Sequence, residues 1–229
     1  MNHRNTSHDH VPGACVHRQP AGVLQVGPGQ THKRDATREL LLATARTEFL
    51  RYGFQGTDVT RIARRAGVSP NTFYRFFKDQ FDVFVSVYVD WAAGERRAFA
   101  RLMAQAAPAA EILNEWIERH RRNRCFRRSA RRLGYEDALV RRAVAQARLD
   151  MLAGLKAWMG GSCADDAGLA VDLLQIEQLA ESLAEAELAD MGLDDSTARE
   201  RMAAIFMRWR IRPAPPVDVT FDEGAAVSA

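Results

Sequence analysis

The stretch from Thr57 to Phe77, TDVTRIARRAGVSPNTFYRFF, gathers the residues best suited to handling a polyanion. After the turn Gly67-Val68-Ser69, helical spacing puts Asn71, Thr72, Arg75 and, just beyond, Lys78 on one polar face. Ile62, Ala63, Val68 and Phe73 fall on the other side, where they can fill the space between two short helices. A helix with such a face fits the roughly 12 Å major groove of DNA, and its first turn reaches base edges. Its free N–H groups and the hydroxyls of Ser69 and Thr72 can hold phosphate oxygens.

Charge is distributed to match. Residues 33–82 hold ten Lys/Arg against six Asp/Glu, a local +4, whereas residues 83–229 stand at −2 within a net charge of +3. The basic residues are almost all arginine, which favours phosphate recognition, although an arginine-rich genome gives the same bias. A second run, with eight arginines between Arg119 and Arg132, has two readings. It is either a site for an anionic effector, such as an acyl thioester or a carboxylate, or an exposed face paired with Glu177, Glu181 and Glu185. The second is preferred because it needs no ligand. Within the run lies Cys125, and guanidinium neighbours can make a thiol reactive, so redox sensing competes with an inert buried cysteine. His3, His8 and His10 lie in a polar leader that offers no fixed shell, and no metal site is expected there. No G-x-G-x-x-G, Walker loop, H-E-x-x-H or nucleophile elbow occurs, and His120 is the only histidine beyond residue 32. No enzyme chemistry and no cofactor are expected.

The scaffold that must carry these groups reads as all-α. With 229 residues, 47% hydrophobic and 27% charged, the chain suits one or two globular domains. No apolar run approaches the ~18 residues of a membrane span. The polar start lacks the apolar core of a secretion signal. Cys15, Cys125 and Cys163, odd in number and far apart, fit a reducing cytoplasm. Residues 1–32 read as a disordered leader, 33–80 as a DNA-binding domain, 81–212 as a helical domain and 213–229 as a disordered tail. Leu41, Leu42, Ala45 and Phe49 mark one face of a first helix that Gly53 ends. Thr57 is placed to cap a second, Ser69-Pro70 to open a third, and Asp79 with Asp82 to cap a fourth bearing Phe84, Val87, Tyr88 and Trp91. Further helices are expected at about 109–131, 135–159, 167–190 and 196–211, with joints at Pro108, Gly134, Gly160-Gly161 and Met191-Gly192.

Gly53-Phe54, Thr57, Ile62-Ala63, Ala66-Gly67-Val68-Ser69, Thr72, Tyr74 and Phe77 together resemble the DNA-binding domain of the TetR family of transcriptional regulators, whose signature is an AGVS turn followed by T-x-Y-x-x-F. The resemblance covers residues about 35–85 in detail. It implies a homodimeric, ligand-responsive regulator, in the leading reading a repressor. An N-terminal three-helix helix-turn-helix domain would bind palindromic double-stranded operator DNA, and a C-terminal helical domain would hold the effector site and the dimer interface. By position, Thr60, Arg61, Asn71, Thr72, Tyr74 and Arg75 resemble DNA-contacting sites, and Lys33, Arg34 and Arg38 flank the start of the first helix, where relatives often touch phosphate. Trp116, His120, Phe126, Tyr135 and Trp158 lie in the region where relatives keep their pocket. The apolar stripes of the last two helices, with Leu173, Ile176, Leu183, Met202, Ile205, Phe206 and Trp209, would make a four-helix dimer bundle. The alternative is an effector-free architectural or partner-binding dimer. The sequence departs from the family's pattern at Gln80, where a phosphate-touching lysine is usual and for which Lys78 would substitute. It departs again at Phe73 and Phe81, which replace an aliphatic residue and a glutamate, and in its long leader.

Overall fold

The computed structural model describes residues 28–161 and 165–210, and among them every regular element is a helix. These are α1 (Pro28–Tyr52), α2 (Val59–Arg65), α3 (Pro70–Tyr74), α4 (Gln80–Ala104), α5 (Ala109–Arg122), α6 (Arg124–Glu136), α7 (Ala138–Trp158), α8 (Asp166–Glu185), α9 (Glu187–Asp190) and α10 (Ser196–Arg210). The all-α expectation holds. Among the described residues, those up to Ala36 belong to one unit and those from Thr37 onward to another. The leader before residue 28, with His3, His8, His10 and Cys15, lies outside the described residues, as do Cys163 and the tail from 213. The first helix begins at Pro28, inside the stretch assigned to the leader, because a proline is tolerated in a first helical turn.

Local signals set most boundaries. Asp58, not Thr57, caps α2: its carboxylate accepts the Arg61 N–H at 2.7 Å, while Thr57 is buried with its hydroxyl unbonded. The Ser69 hydroxyl accepts the Thr72 N–H at 3.2 Å, a cap worth about 1 kcal/mol, and Pro70 takes the first helical position. Gly67, with φ +70°, supplies the left-handed turn between α2 and α3. Asp79 accepts the Asp82 N–H, and Asp82 in turn accepts the Lys78 N–H, both at 2.9 Å. That reciprocal pair starts α4 as expected.

Three boundaries beyond Pro108 differ from expectation. The segment 109–131 breaks at Asn123, whose backbone leaves helical geometry, so α5 and α6 are separate helices. Gly134 lies within α6, and the joint to α7 falls at Asp137, whose carboxylate caps the Leu139 and Val140 N–H groups. Farther on, Ala186 ends α8 in the left-handed conformation at φ +62°.

Two apolar clusters organise the unit. One joins Leu41, Phe49, Ile62, Phe73 and Phe77 to Phe84, Val87 and Trp91 of α4 and to Phe126, Ala130 and Leu133 of α6. Phe84 and Phe126 meet at 5.0 Å between ring centres, and Trp91 packs edge-on to Phe126 at 5.3 Å. The core beneath α2 and α3 thus continues past residue 80 through α4 into α6. A second cluster buries Ile112, Trp116 and Ile117 of α5 against Leu173, Ile176 and Leu183 of α8 and Met202, Ile205, Phe206 and Trp209 of α10.

That second cluster corrects the expected dimer stripe. Leu173, Ile176, Leu183, Met202, Ile205, Phe206 and Trp209 are all buried within their own subunit, because α8 and α10 turn their most apolar faces toward α5 and each other. Their outer faces instead expose Val171 on α8 and Met207 on α10.

Candidate functional site

Helix α3 is short, and its inner side is spent on packing: Phe73 is fully buried and Phe77 nearly so. Asn71, Tyr74 and Arg75 are left on the surface, with Tyr74 56% exposed, and Lys78 follows them. Thr72 is half-buried, its hydroxyl 3.0 Å from that of Ser69. Thr60 on α2 is exposed. Arg38 is exposed and holds its guanidinium 5.4 Å above the Phe77 ring, which ties this cation to the end of the recognition segment. Lys33 and Arg34 are exposed in the early turns of α1, in the other compact unit. None of Arg34, Arg38, Arg75 or Lys78 forms an ion pair among the described residues, which leaves their charge to phosphate.

Arg61 is a correction. Its Nε bonds the Glu48 carboxylate, its guanidinium lies 4.1 Å over the Tyr52 ring, and Arg65 takes the other Glu48 oxygen at 2.8 Å. Glu48 is 1% exposed. Burial alone would raise its carboxyl, but hydrogen bonds and charge from both arginines overcome burial and hold it below the usual value. Arg61 thus fixes α2 to α1 and is not a free DNA contact. The departures from the family pattern also find uses. Gln80 donates to the carbonyls of Phe54 and Thr57, both at 2.7 Å, anchoring the α1–α2 loop in place of any phosphate contact. Phe81 packs on Phe54 at 4.8 Å.

The C-terminal helices enclose a cavity of about 430 Å³, within the 300–1,000 Å³ common for ligand sites. Tyr88 and Trp91 of α4, His120 of α5, Arg127 and Arg131 of α6, Arg148 of α7, and Glu177 and Glu181 of α8 line it. Of the five expected pocket residues it collects His120 and Tyr135, the latter 82% exposed. The others go elsewhere. Phe126 is fully buried among Phe84, Tyr88 and Trp91; Trp116 lines a separate 50 Å³ void; Trp158 stacks on Phe206 in the second core.

The arginine run divides accordingly. Arg128 pairs with Glu185 at 2.5 Å and Arg131 with Glu181 at 2.8 Å, as the paired-face reading expects, whereas Glu177 pairs at 3.0 Å with Arg148 of α7, outside the run. Arg127 does not follow: its Nε is buried without a hydrogen bond, and its guanidinium lies 4.9 Å from the Trp91 ring centre. Burial pulls its pKa down, against the pull of Glu177, Glu95, Tyr88 and Glu181. His120, 2% exposed, places Nδ1 2.9 Å from the Trp116 carbonyl, while Nε2 has no partner. Burial first, and the charge of Arg127 second, lower its pKa to about 3. Burial also raises the Tyr88 hydroxyl to about 12. Sequence reasoning missed Tyr88, Trp91 and Arg127 as lining groups. Arg127 carried no signal of its own, since Arg131, one turn on and on the same face of α6, stays half in solvent.

Cys125, free and half-buried, faces a different cavity of about 400 Å³ with Tyr52, Phe54 and Phe81. Among the described residues no cluster has metal-holding composition, and no helix is long and apolar enough to cross a membrane.

The arrangement defines a helix-turn-helix protein with an all-helical, cavity-bearing C-terminal part. Residues 41–87 match the profile of the bacterial regulatory proteins of the tetR family. That stretch carries the DNA-binding domain of the tetR family. No curated protein matches it. Among solved structures it is similar to a protein described as a TetR-family transcriptional regulator from Rhodococcus sp., at 16% identity and TM-score 0.57, covering 76% of this chain and 98% of that one. Salmonella enterica GusR has the same identity and TM-score over 76% and 96%. Escherichia coli NemR in its reduced form gives 15% and 0.54 over 80% and 100%. At these identities the likeness is one of fold.

Proposed function

We propose that the protein is a cytoplasmic, homodimeric repressor that binds a palindromic operator and releases it when a small molecule enters the C-terminal cavity. The observation that carries DNA reading is the α3 surface: Asn71, Tyr74 and Arg75 exposed on a helix whose start is fixed by Ser69. Thr60, Thr72, Lys78, Arg38, Lys33 and Arg34 supply further contacts, chiefly to phosphate. Two such helices enter successive major grooves when held about 34–36 Å apart. The outer faces of α8 and α10 suit the pairing of subunits. They expose Val171 and Met207, and the 2.5 Å pair Arg208–Asp172 ties the two helices at that surface. An effector shifts the spacing only through unequal affinity for the two conformers. The cavity supports this over the effector-free architectural reading, which predicts a closed core.

Operator binding measured by fluorescence anisotropy across a salt series tests the interface. Arg75→Ala weakens binding with the fold intact. If Arg75 touches phosphate alone, the salt slope drops by about 0.9 and all sequences weaken alike. If it reads a base, discrimination at one position falls by about 1–3 kcal/mol. Wild-type affinity in this variant removes Arg75 from the interface.

A further inference from the structure

The cavity's polar groups are unequally satisfied, and that inequality specifies a ligand. Three carboxylates act on Arg127 from a distance, and each has an arginine of its own: Glu95 pairs with Arg119 at 3.0 Å, Glu177 with Arg148 and Glu181 with Arg131. Arg127 and the exposed Arg141 are the lining cations without an ion pair among the described residues, and of the two only Arg127 has a buried, unbonded Nε. A buried guanidinium nitrogen without a partner costs free energy that an anion entering the cavity would recover.

His120 adds a second condition. The Trp116 carbonyl can only accept, so Nδ1 carries the proton and donates to it. In the neutral ring Nε2 is then an acceptor, buried and without a donor. A bare carboxylate would satisfy Arg127 and repel that lone pair. The complementary molecule carries an anionic group and, separately, a hydroxyl. Between Arg141, Gln178 and the paired charges the wall also offers flat or apolar surface, Tyr88, Trp91, Val144 and Leu174, which suits a ring rather than a highly hydrated chain.

We infer that the cavity takes a hydroxylated aromatic carboxylate, its carboxylate received by Arg127 and its hydroxyl donating to His120 Nε2. The assignment rests on the proposal that this cavity is the effector site, and names its ligand class.

Titration calorimetry of the full-length protein with 3- and 4-hydroxybenzoate, benzoate and methyl 4-hydroxybenzoate tests it, with operator release measured separately. At least one hydroxybenzoate binds about tenfold or more tightly than benzoate, which lacks the donor, and than the methyl ester, which lacks the charge. Arg127→Gln erases the preference over the ester, and His120→Leu erases the preference over benzoate. Both variants are checked for retained helicity and operator binding. Should His120→Leu not fold, the Arg127→Gln comparison stands alone. A hydroxybenzoate that binds as described but leaves the operator occupied upholds the ligand class and overturns the release mechanism. Release by a neutral or cationic compound, with no hydroxybenzoate bound, upholds release and overturns the ligand class. Equal binding of acid and ester by the wild-type protein also overturns it.

Discussion

Glu48, beneath the DNA-reading helices, and Arg127, at the C-terminal cavity, are both charges taken at least partly out of water, and their surroundings are opposite. Glu48 has both oxygens occupied by arginines that reach in from solvent. Arg127 faces carboxylates that are already engaged. The first arrangement locks α2 onto α1, so that α3 is presented at a fixed angle. The second holds unmet hydrogen-bonding capacity at a place that a solute can enter. Rigidity suits the end that reads a fixed groove, and unspent polarity suits the response proposed for the other end.

The shared element tests how far the two regions are separable. Phe126 sits on α6 and is fully buried in the same cluster as Phe49 and Phe84. Phe126→Ala should cost about 3–5 kcal/mol, seen in urea denaturation, and should weaken operator binding as well as cavity function. Loss confined to one region would show that the cores are independent.

Acid titration addresses the cavity side. The His120 pKa is depressed in the folded protein, so its contribution is complete above the unfolded value near 6.5. It is lost as pH falls toward about 3, because the unfolded chain takes up the proton first. The slope approaches about 1.4 kcal/mol per pH unit between those limits, and the difference between wild type and His120→Gln isolates it from the carboxylates. A difference that stays constant from pH 7 to pH 4 would contradict a neutral buried imidazole.

Glu48→Gln should lower stability by about 1–2 kcal/mol at pH 7, discounted because both arginines can turn to solvent. The loss shrinks below the unfolded carboxyl pKa, as pH falls through the depressed folded one. Arg127→Met should do the reverse: thermal stability stays level or rises by up to about 1 kcal/mol, since an unmatched charge is replaced by an apolar chain. If both substitutions destabilise alike, the contrast fails.

Legibility in the sequence followed the range of the forces. The α2–α3 unit was readable because its determinants are local: Ser69 caps, Pro70 starts and Gly67 turns within four residues. The break at Asn123 carried no proline or glycine, and Gly134 suggested a joint in a helix that runs through it. Leu173, Ile176, Met202 and Phe206 were correctly apolar stripes, but a stripe does not state which surface covers it, and α5 covers this one. Arg127 looked like its seven neighbours in the run, since only tertiary packing decides which guanidinium of a charged helix is turned inward.

Ser129 joins the two regions by a single hydroxyl. It donates to the Cys125 carbonyl on its own helix and accepts the Phe54 N–H from the α1–α2 loop, both at 2.9 Å. Beside it Gly53, at φ +67°, leaves no space for a methyl group: an added Cβ would come within 2.8 Å of that oxygen. Arg127 stands two residues earlier on the same helix. The lever between the cavity and the reading head is therefore barely half a helical turn long, and a small roll of α6 would tug directly on the α1–α2 loop that leads into the helix-turn-helix.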